Sequence, residues 1–141
     1  MIPEFYIETD KKKLDFTAIH HAIKSSYWGA YRTEEMTQST IDNCLCFGVY
    51  LKETDVQIGF ARVLTDEVVF AYIMDVIIFD GYRGMGVGKD LVSYILEYPA
   101  VKKVLTVALK TKDAHGMYRP FGFDSVGNSS MWMAKDHAKY D

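Results

Sequence analysis

The feature that most restricts the fold of this 141-residue chain is a change of period near residue 44. Before it, Phe16, Ile19 and Ile23 recur at helical spacing behind Asp15, an N-cap residue type, and predict a helix from about Asp15 to Ser25. A second helix is expected over "RTEEMTQSTIDN", with Thr33 as its cap and Glu34 and Glu35 in the first turn, where the helix dipole favours acids. After the change, "CLCFGVYLK", "VQIGFARVLTD" and "VVFAYIMDVIIFD" are rich in β-branched and aromatic residues. Only "ETD" and "DE" separate them, so they read as an antiparallel meander of three strands.

The rest of the pattern fits around this meander. "EFYIE" reads as an opening strand, and Leu91, Val92, Ile95 and Leu96 as a helix stopped by Pro99. "KKVLTVALK" returns to strand, "DAHGMYRPFG" is a short helix closed by Pro120 and Gly122, and "SSMWMAKD" is expected to be a last strand. The result is a mixed α/β fold: one mostly antiparallel, twisted sheet of six or seven strands with helices on both faces. Residues 1–141 read as a single domain without repeats or linkers.

Composition narrows the function. At 49% apolar and 25% charged the chain is globular rather than disordered. A formal charge of −3 supplies no basic field for nucleic acid, and Lys11, Lys12 and Lys13 read as a solvated charge run. The N-terminus turns charged before any long apolar run, and no stretch approaches a membrane span, so a cytoplasmic protein with no membrane partner is expected. Cys44 and Cys46 are read as pointing to opposite faces of a strand and as reduced, structural thiols. With the four histidines they show no metal-ligand spacing, so no metal is expected.

The most informative stretch is "DGYRGMGVGKDLV", Asp80 to Val92, which holds four of the ten glycines, three of them between Arg83 and Lys89. A glycine loop that opens a helix brings bare amides and a helix dipole to an anion. A Walker loop fails, because Gly88-Lys89 is followed by Asp90 and Arg83 stands where the first glycine belongs. The dinucleotide fingerprint fails too, since Lys89 or Leu91 would have to be glycine. What remains is Arg83-Gly84-Met85-Gly86-Val87-Gly88, an Arg-Gly-x-Gly-x-Gly pattern between a strand and an amphipathic helix.

In this pattern, in "AHGMYRPFGF", and in element order over nearly the whole chain, the sequence resembles the GNAT-type N-acetyltransferases. The resemblance implies that Arg83, Gly84, Met85, Gly86, Val87, Gly88 and Lys89 cradle the diphosphate of acetyl-coenzyme A. Val76, Ile77 and Ile78 would hold its pantetheine arm through main chain, in a gap where strands four and five splay. It also implies that Tyr118 protonates the departing thiolate. A phenol with a pKa of about 10 suits that role at neutral pH.

Asp75, the only acid within its apolar strand, is left with three roles: base, substrate anchor or structural hydrogen-bonder. Met74 stands where some relatives carry a glutamate, and Thr111 where many carry an asparagine that bonds the pantetheine arm. The acceptor site would be lined by Tyr27, Trp28, Tyr31 and Arg32, which suits a small-molecule amine; a peptide amine stays open. So do homodimerisation and a coenzyme A-binding module without transferase activity.

Overall fold

The computed structural model describes residues 2–137, and the chain divides into two compact units, one ending at Lys110 and one starting at Thr111. The first holds the sheet. Strands β1 (Phe5–Glu8), β2 (Leu45–Leu51), β3 (Gln57–Thr65), β4 (Phe70–Ile78) and β5 (Thr106–Leu109) lie side by side in chain order. The first four are antiparallel neighbours, with short breaks joining β2, β3 and β4; β5 runs parallel to β4. Parallel neighbours need a crossover, supplied here by α3 (Val87–Glu97) and α4 (Pro99–Lys102). Pro99 ends one helix and occupies the first position of the next, where its missing N–H costs nothing.

Helices α1 (Phe16–Lys24) and α2 (Glu34–Asp42) precede the meander. Asp15 accepts a hydrogen bond from the Ala18 amide at 3.1 Å, and Thr33 one from the Met36 amide at 3.1 Å, so both predicted caps form. Helices of nine residues are marginal alone, and burial holds these two. Ile19, Ala22 and Ile23 of α1 and Ile41 of α2 pack with Cys46, Phe60 and Ile77 on one face of the sheet. Burying each large apolar side chain contributes about 1.5–3 kcal/mol. On the opposite face Phe47 meets the rings of Tyr94 and Tyr98 edge-on, with centroids 6.1 and 5.2 Å apart. The sheet therefore carries helices on both faces.

Two expectations are corrected. Cys44 and Cys46 do not point to opposite faces: both thiols are buried, unbridged, in the same core cluster. Residues two apart in extended chain share a face, and burial pushes the Cys46 thiol up to about 11. The sheet has five strands among the described residues, not six or seven, because Ser129–Asp136 forms no ladder. That segment has no β-branched residue, and Met131 and Met133 are 89% and 93% exposed, so these two side chains bury little that would favour a strand.

Two irregularities of β4 shape the site. Its register with β3 runs from Phe60↔Ile77 to Arg62↔Met74, so β4 holds one extra residue, a β-bulge, and Asp75 there has φ 52°. Its ladder with β5 stops at Ile73↔Leu109 although β4 continues to Ile78.

In the second unit α5 (His115–Tyr118) passes into a 3-10 turn, Arg119–Phe121, ended by Gly122 at φ 95°. Tyr118 is buried and meets Phe123 edge-on at 6.0 Å.

Candidate active site

The glycine stretch forms the turn between β4 and α3. Gly81, Gly84 and Gly86 all have positive φ, a region that costs other residues about 1–2 kcal/mol. A Cβ built on Gly84 or Gly86 would meet no protein atom within 4 Å. Close packing within the chain therefore does not require glycine at these two positions; the backbone angle does, and the space beside them is open. Gly86 is the N-cap of α3 and has no side chain to bond the first turn. Asp90 is the residue whose amide reaches the Gly86 carbonyl, so those of Val87, Gly88 and Lys89 precede the first intrahelical bond. Buried Val87, Leu91, Val92 and Ile95 fix the helix against the sheet and aim that end. Lys89 is exposed. Arg83 donates from Nε to the Ile78 carbonyl at 2.8 Å and pairs with exposed Asp80 at 3.4 Å, which ties the turn to the end of β4.

Upstream of this loop the β4–β5 ladder ends short of the end of β4. Parallel pairing ends at Ile73, so from Met74 to Ile78 β3 is the only ladder neighbour of β4 among the described residues. Val76, Ile77 and Ile78, the three residues expected to act through main chain, fall inside this length without a β5 partner.

The bulge at Asp75 anchors a buried charge cluster. Asp75, Arg32 and Arg62 are 6%, 7% and 7% exposed. Arg32 donates to both carboxylate oxygens, Nη1 to Oδ2 and Nη2 to Oδ1, each at 3.1 Å. Arg62 adds Nε to Oδ2 at 2.6 Å, and the Trp28 indole adds Nε1 to Oδ1 at 2.8 Å. Four donors saturate a carboxylate. Burial alone pushes the Asp75 carboxyl up, but the Arg32 hydrogen bonds and the Arg62 charge outweigh it and hold the group below its ordinary range. Arg62 also donates from Nη1 to the Cys44 sulfur at 3.3 Å. Tyr27 packs edge-on against Trp28 with centroids 5.1 Å apart, and the Tyr31 ring lies 5.8 Å from the Arg32 guanidinium. These two tyrosines are 41% and 64% exposed and form a rim around buried charges.

In the second unit, Thr111 accepts from the Ala114 amide at 2.9 Å through its hydroxyl, holding the turn that begins α5. Tyr118 is the last residue of that helix.

These features accompany a match of residues 14–123 to the family model described as acetyltransferase (GNAT) family. The chain belongs to the acetyltransferase (GNAT) family. It is 31% identical, with a TM-score of 0.85 and 96% coverage of both chains, to a crystal structure from Xanthomonas campestris pv. campestris described as belonging to the GNAT family. It is 30% identical over 106 residues to an uncharacterized N-acetyltransferase, ycf52-like, of Prochlorococcus marinus, covering 74% of this chain and 59% of that protein. It is 33% identical over 78 residues to the GCN5-related N-acetyltransferase 1, chloroplastic, of Arabidopsis thaliana, covering 55% of this chain and 40% of that one. The chain thus spans roughly half the length of these two curated relatives.

Within this GNAT domain the structure brings Tyr27, Trp28, Arg32 and Asp75 into one cluster with Tyr31 at its edge. It joins Arg83 to Ile78 as well. Arg62 and Cys44 belong to the cluster but were missed in the sequence. The signal was there: Arg62 is the only charge inside the apolar run "IGFARVL", one strand away from the only acid inside "FAYIMDVII". Opposite charges that interrupt adjacent apolar strands must pair, because either alone would be costly to bury.

Proposed function

We propose that this GNAT chain transfers the acetyl group of acetyl-coenzyme A to a primary amine of a small molecule. The observation that carries this reading is the open turn at Gly84 and Gly86, where bare backbone with positive φ leads into a helix whose first turn has no side-chain cap. Main-chain donors in such a nest suit a diphosphate, and Arg83 and Lys89 add charge at its margin. When bound, acetyl-coenzyme A supplies an acetyl group activated as a thioester. Main-chain groups of Val76, Ile77 and Ile78, in the length of β4 that β5 leaves unpaired, are proposed to hold the pantetheine arm and polarise the thioester carbonyl. Thr111, which departs from the asparagine many relatives carry there, is proposed as a weaker holder of that arm.

The products are an amide and a thiol, so the site must take a proton from the ammonium form of the acceptor and deliver one to sulfur. Tyr118 is proposed as the donor to sulfur; its position in the family pattern and the usual pKa of a phenol, about 10, support this. Of the three roles open to Asp75, its four hydrogen bonds and depressed pKa favour the structural one. A saturated carboxylate is a poor base, so the ammonium proton is expected to leave through water.

Acetyl-coenzyme A is expected to raise the melting temperature, as any ligand selective for the native state does. Gly86→Glu should abolish the rise by placing a side chain and a negative charge in the open space. No rise for the wild type at millimolar ligand would sink the coenzyme assignment. Tyr118→Phe should lower turnover by about 100-fold while leaving the coenzyme-induced shift intact. Unchanged turnover across a panel of amines would remove Tyr118 from the mechanism.

A further inference from the structure

We infer that the Arg32–Arg62–Asp75 cluster selects acceptors that carry an anionic group, a carboxylate or a phosphate, in addition to the amine. The inference rests on the acetyl-transfer reading and gives its acceptor a chemical class.

The cluster is out of charge balance. Two guanidiniums and one carboxylate are all buried, and the ion pairs of both arginines end on Asp75. Among the described residues no second acid is in ion-pair range of either. Trp28, the remaining partner of Asp75, donates a neutral N–H, so it occupies the carboxylate without adding negative charge. Cys44 gives Arg62 a weak sulfur acceptor, and Tyr31 offers Arg32 a ring face and a neutral hydroxyl acceptor. The two guanidiniums carry five N–H groups each, more than one carboxylate, one sulfur and one hydroxyl can accept. An excess buried cation is costly, and an anion that enters relieves it. Paired guanidinium forks suit planar or tetrahedral oxyanions, which they bind in bidentate fashion.

Position gives the excess charge a use. Asp75 immediately precedes Val76, where the main chain proposed to face the thioester begins. Exposed Tyr27 and Tyr31 border the cluster. An acceptor held by its anionic end against Arg32 or Arg62 would have its amine within a short chain of that strand. Had the cluster been built to bind a simple cationic amine, the acid would be in excess; here Asp75 has no lone pair left for an ammonium.

The test uses the intact chain and three amines of similar size: β-alanine, O-phosphoethanolamine and ethanolamine. Two quantities are read, kcat/KM by thiol release and the melting-temperature shift each amine produces on the protein alone. One or both anionic amines should exceed ethanolamine by about tenfold in kcat/KM and should stabilise the protein more. Which of the two does so separates a carboxylate site from a phosphate site. Arg32→Lys keeps the charge and loses the fork, and should reduce the ratio by about threefold or more while acetyl-coenzyme A still raises the melting temperature. Anionic amines no better than ethanolamine in both readouts would overturn the inference, and the acetyl-transfer reading would stand if acetyl-coenzyme A still stabilised the protein. Stabilisation by the anions alone, with no coenzyme shift and no thiol release, would leave the anion site in place and remove the transfer reaction instead.

Discussion

Two regions flank the end of β4 and are built in opposite ways. The turn from Asp80 to Gly86 is main chain: its glycines hold angles other residues resist, its helix start is uncapped, and the space beside Gly84 and Gly86 is open. The cluster at the bulge is side chain: four donors from Trp28, Arg32 and Arg62 converge on Asp75 and saturate it. A site made of bare backbone tolerates little bulk but carries little stability. A site made of buried charges holds three segments of the fold together, and any unpaired member of it is a liability. The end of β4 thus joins a turn proposed to receive a ligand's diphosphate to a cluster whose first task is to hold itself together.

The largest effect should come from breaking the cluster. Asp75→Ala leaves two buried guanidiniums without their counter-ion and should lower unfolding stability by about 3–5 kcal/mol, measured by denaturant titration. A loss under about 1 kcal/mol would show that solvent already compensates the arginines and would dissolve the contrast between the regions. Asp75→Asn tests the charge itself, since asparagine tolerates the positive φ. Because the folded Asp75 carboxyl lies below its ordinary value near 3.8, its stabilisation is fully present above that value and is lost as pH falls through the folded pKa. The stability gap between wild type and Asp75→Asn should therefore be constant from neutral pH down to about pH 4 and narrow below it. A gap that closes between pH 5 and 7 would contradict a depressed carboxyl.

A smaller effect is expected at the turn. Gly86→Ala places a Cβ at φ 85° in open space, so the cost is the backbone penalty of about 1–2 kcal/mol, offset in part by a less flexible unfolded chain. If the turn holds a diphosphate, as proposed, the same methyl would project toward it, and the coenzyme-induced melting shift should shrink far more than the stability does. Equal and small changes in both would make the glycine a turn residue and nothing more.

The contrast also accounts for what the sequence disclosed. A backbone site must write its geometry into consecutive residues, so Arg83 to Lys89 could be read as a motif with the correct strand before it and helix after it. Caps and periods placed α1, α2 and α3 for the same reason, being local. The cluster is assembled from positions 28, 32, 44, 62 and 75, and convergence of this kind follows from register and loop path, which single residues do not encode. Asp75 could be noted as out of place, and Arg32 as a cation of the acceptor site, without revealing that they pair, and Arg62 was passed over. The bulge that turns Asp75 inward depends on a mismatch between β3 and β4 that neither strand shows alone. The last strand was misread because Trp132 and the methionines beside it look apolar enough for a sheet, while a strand also needs a neighbour to pair with.

Arg83 should give the smallest effect and the finest test of the contrast, because it sits in the backbone-built region and is its only side-chain tie to β4 among the bonds described. Its guanidinium is mostly exposed and its partner Asp80 more so, at 59% and 88%, and exposed pairs contribute little. Arg83→Ala should leave stability indistinguishable from wild type, with the Nε bond to the Ile78 carbonyl replaced by water. If the turn holds a diphosphate, however, the same change removes a cation from its margin. Coenzyme affinity should then fall by about threefold at low salt, and the difference should fade as salt is raised and screens the lost charge. An affinity loss independent of salt would assign Arg83 to shaping the turn rather than attracting the ligand. A large stability loss would mean that the loop leans on its side chains after all, as the cluster does.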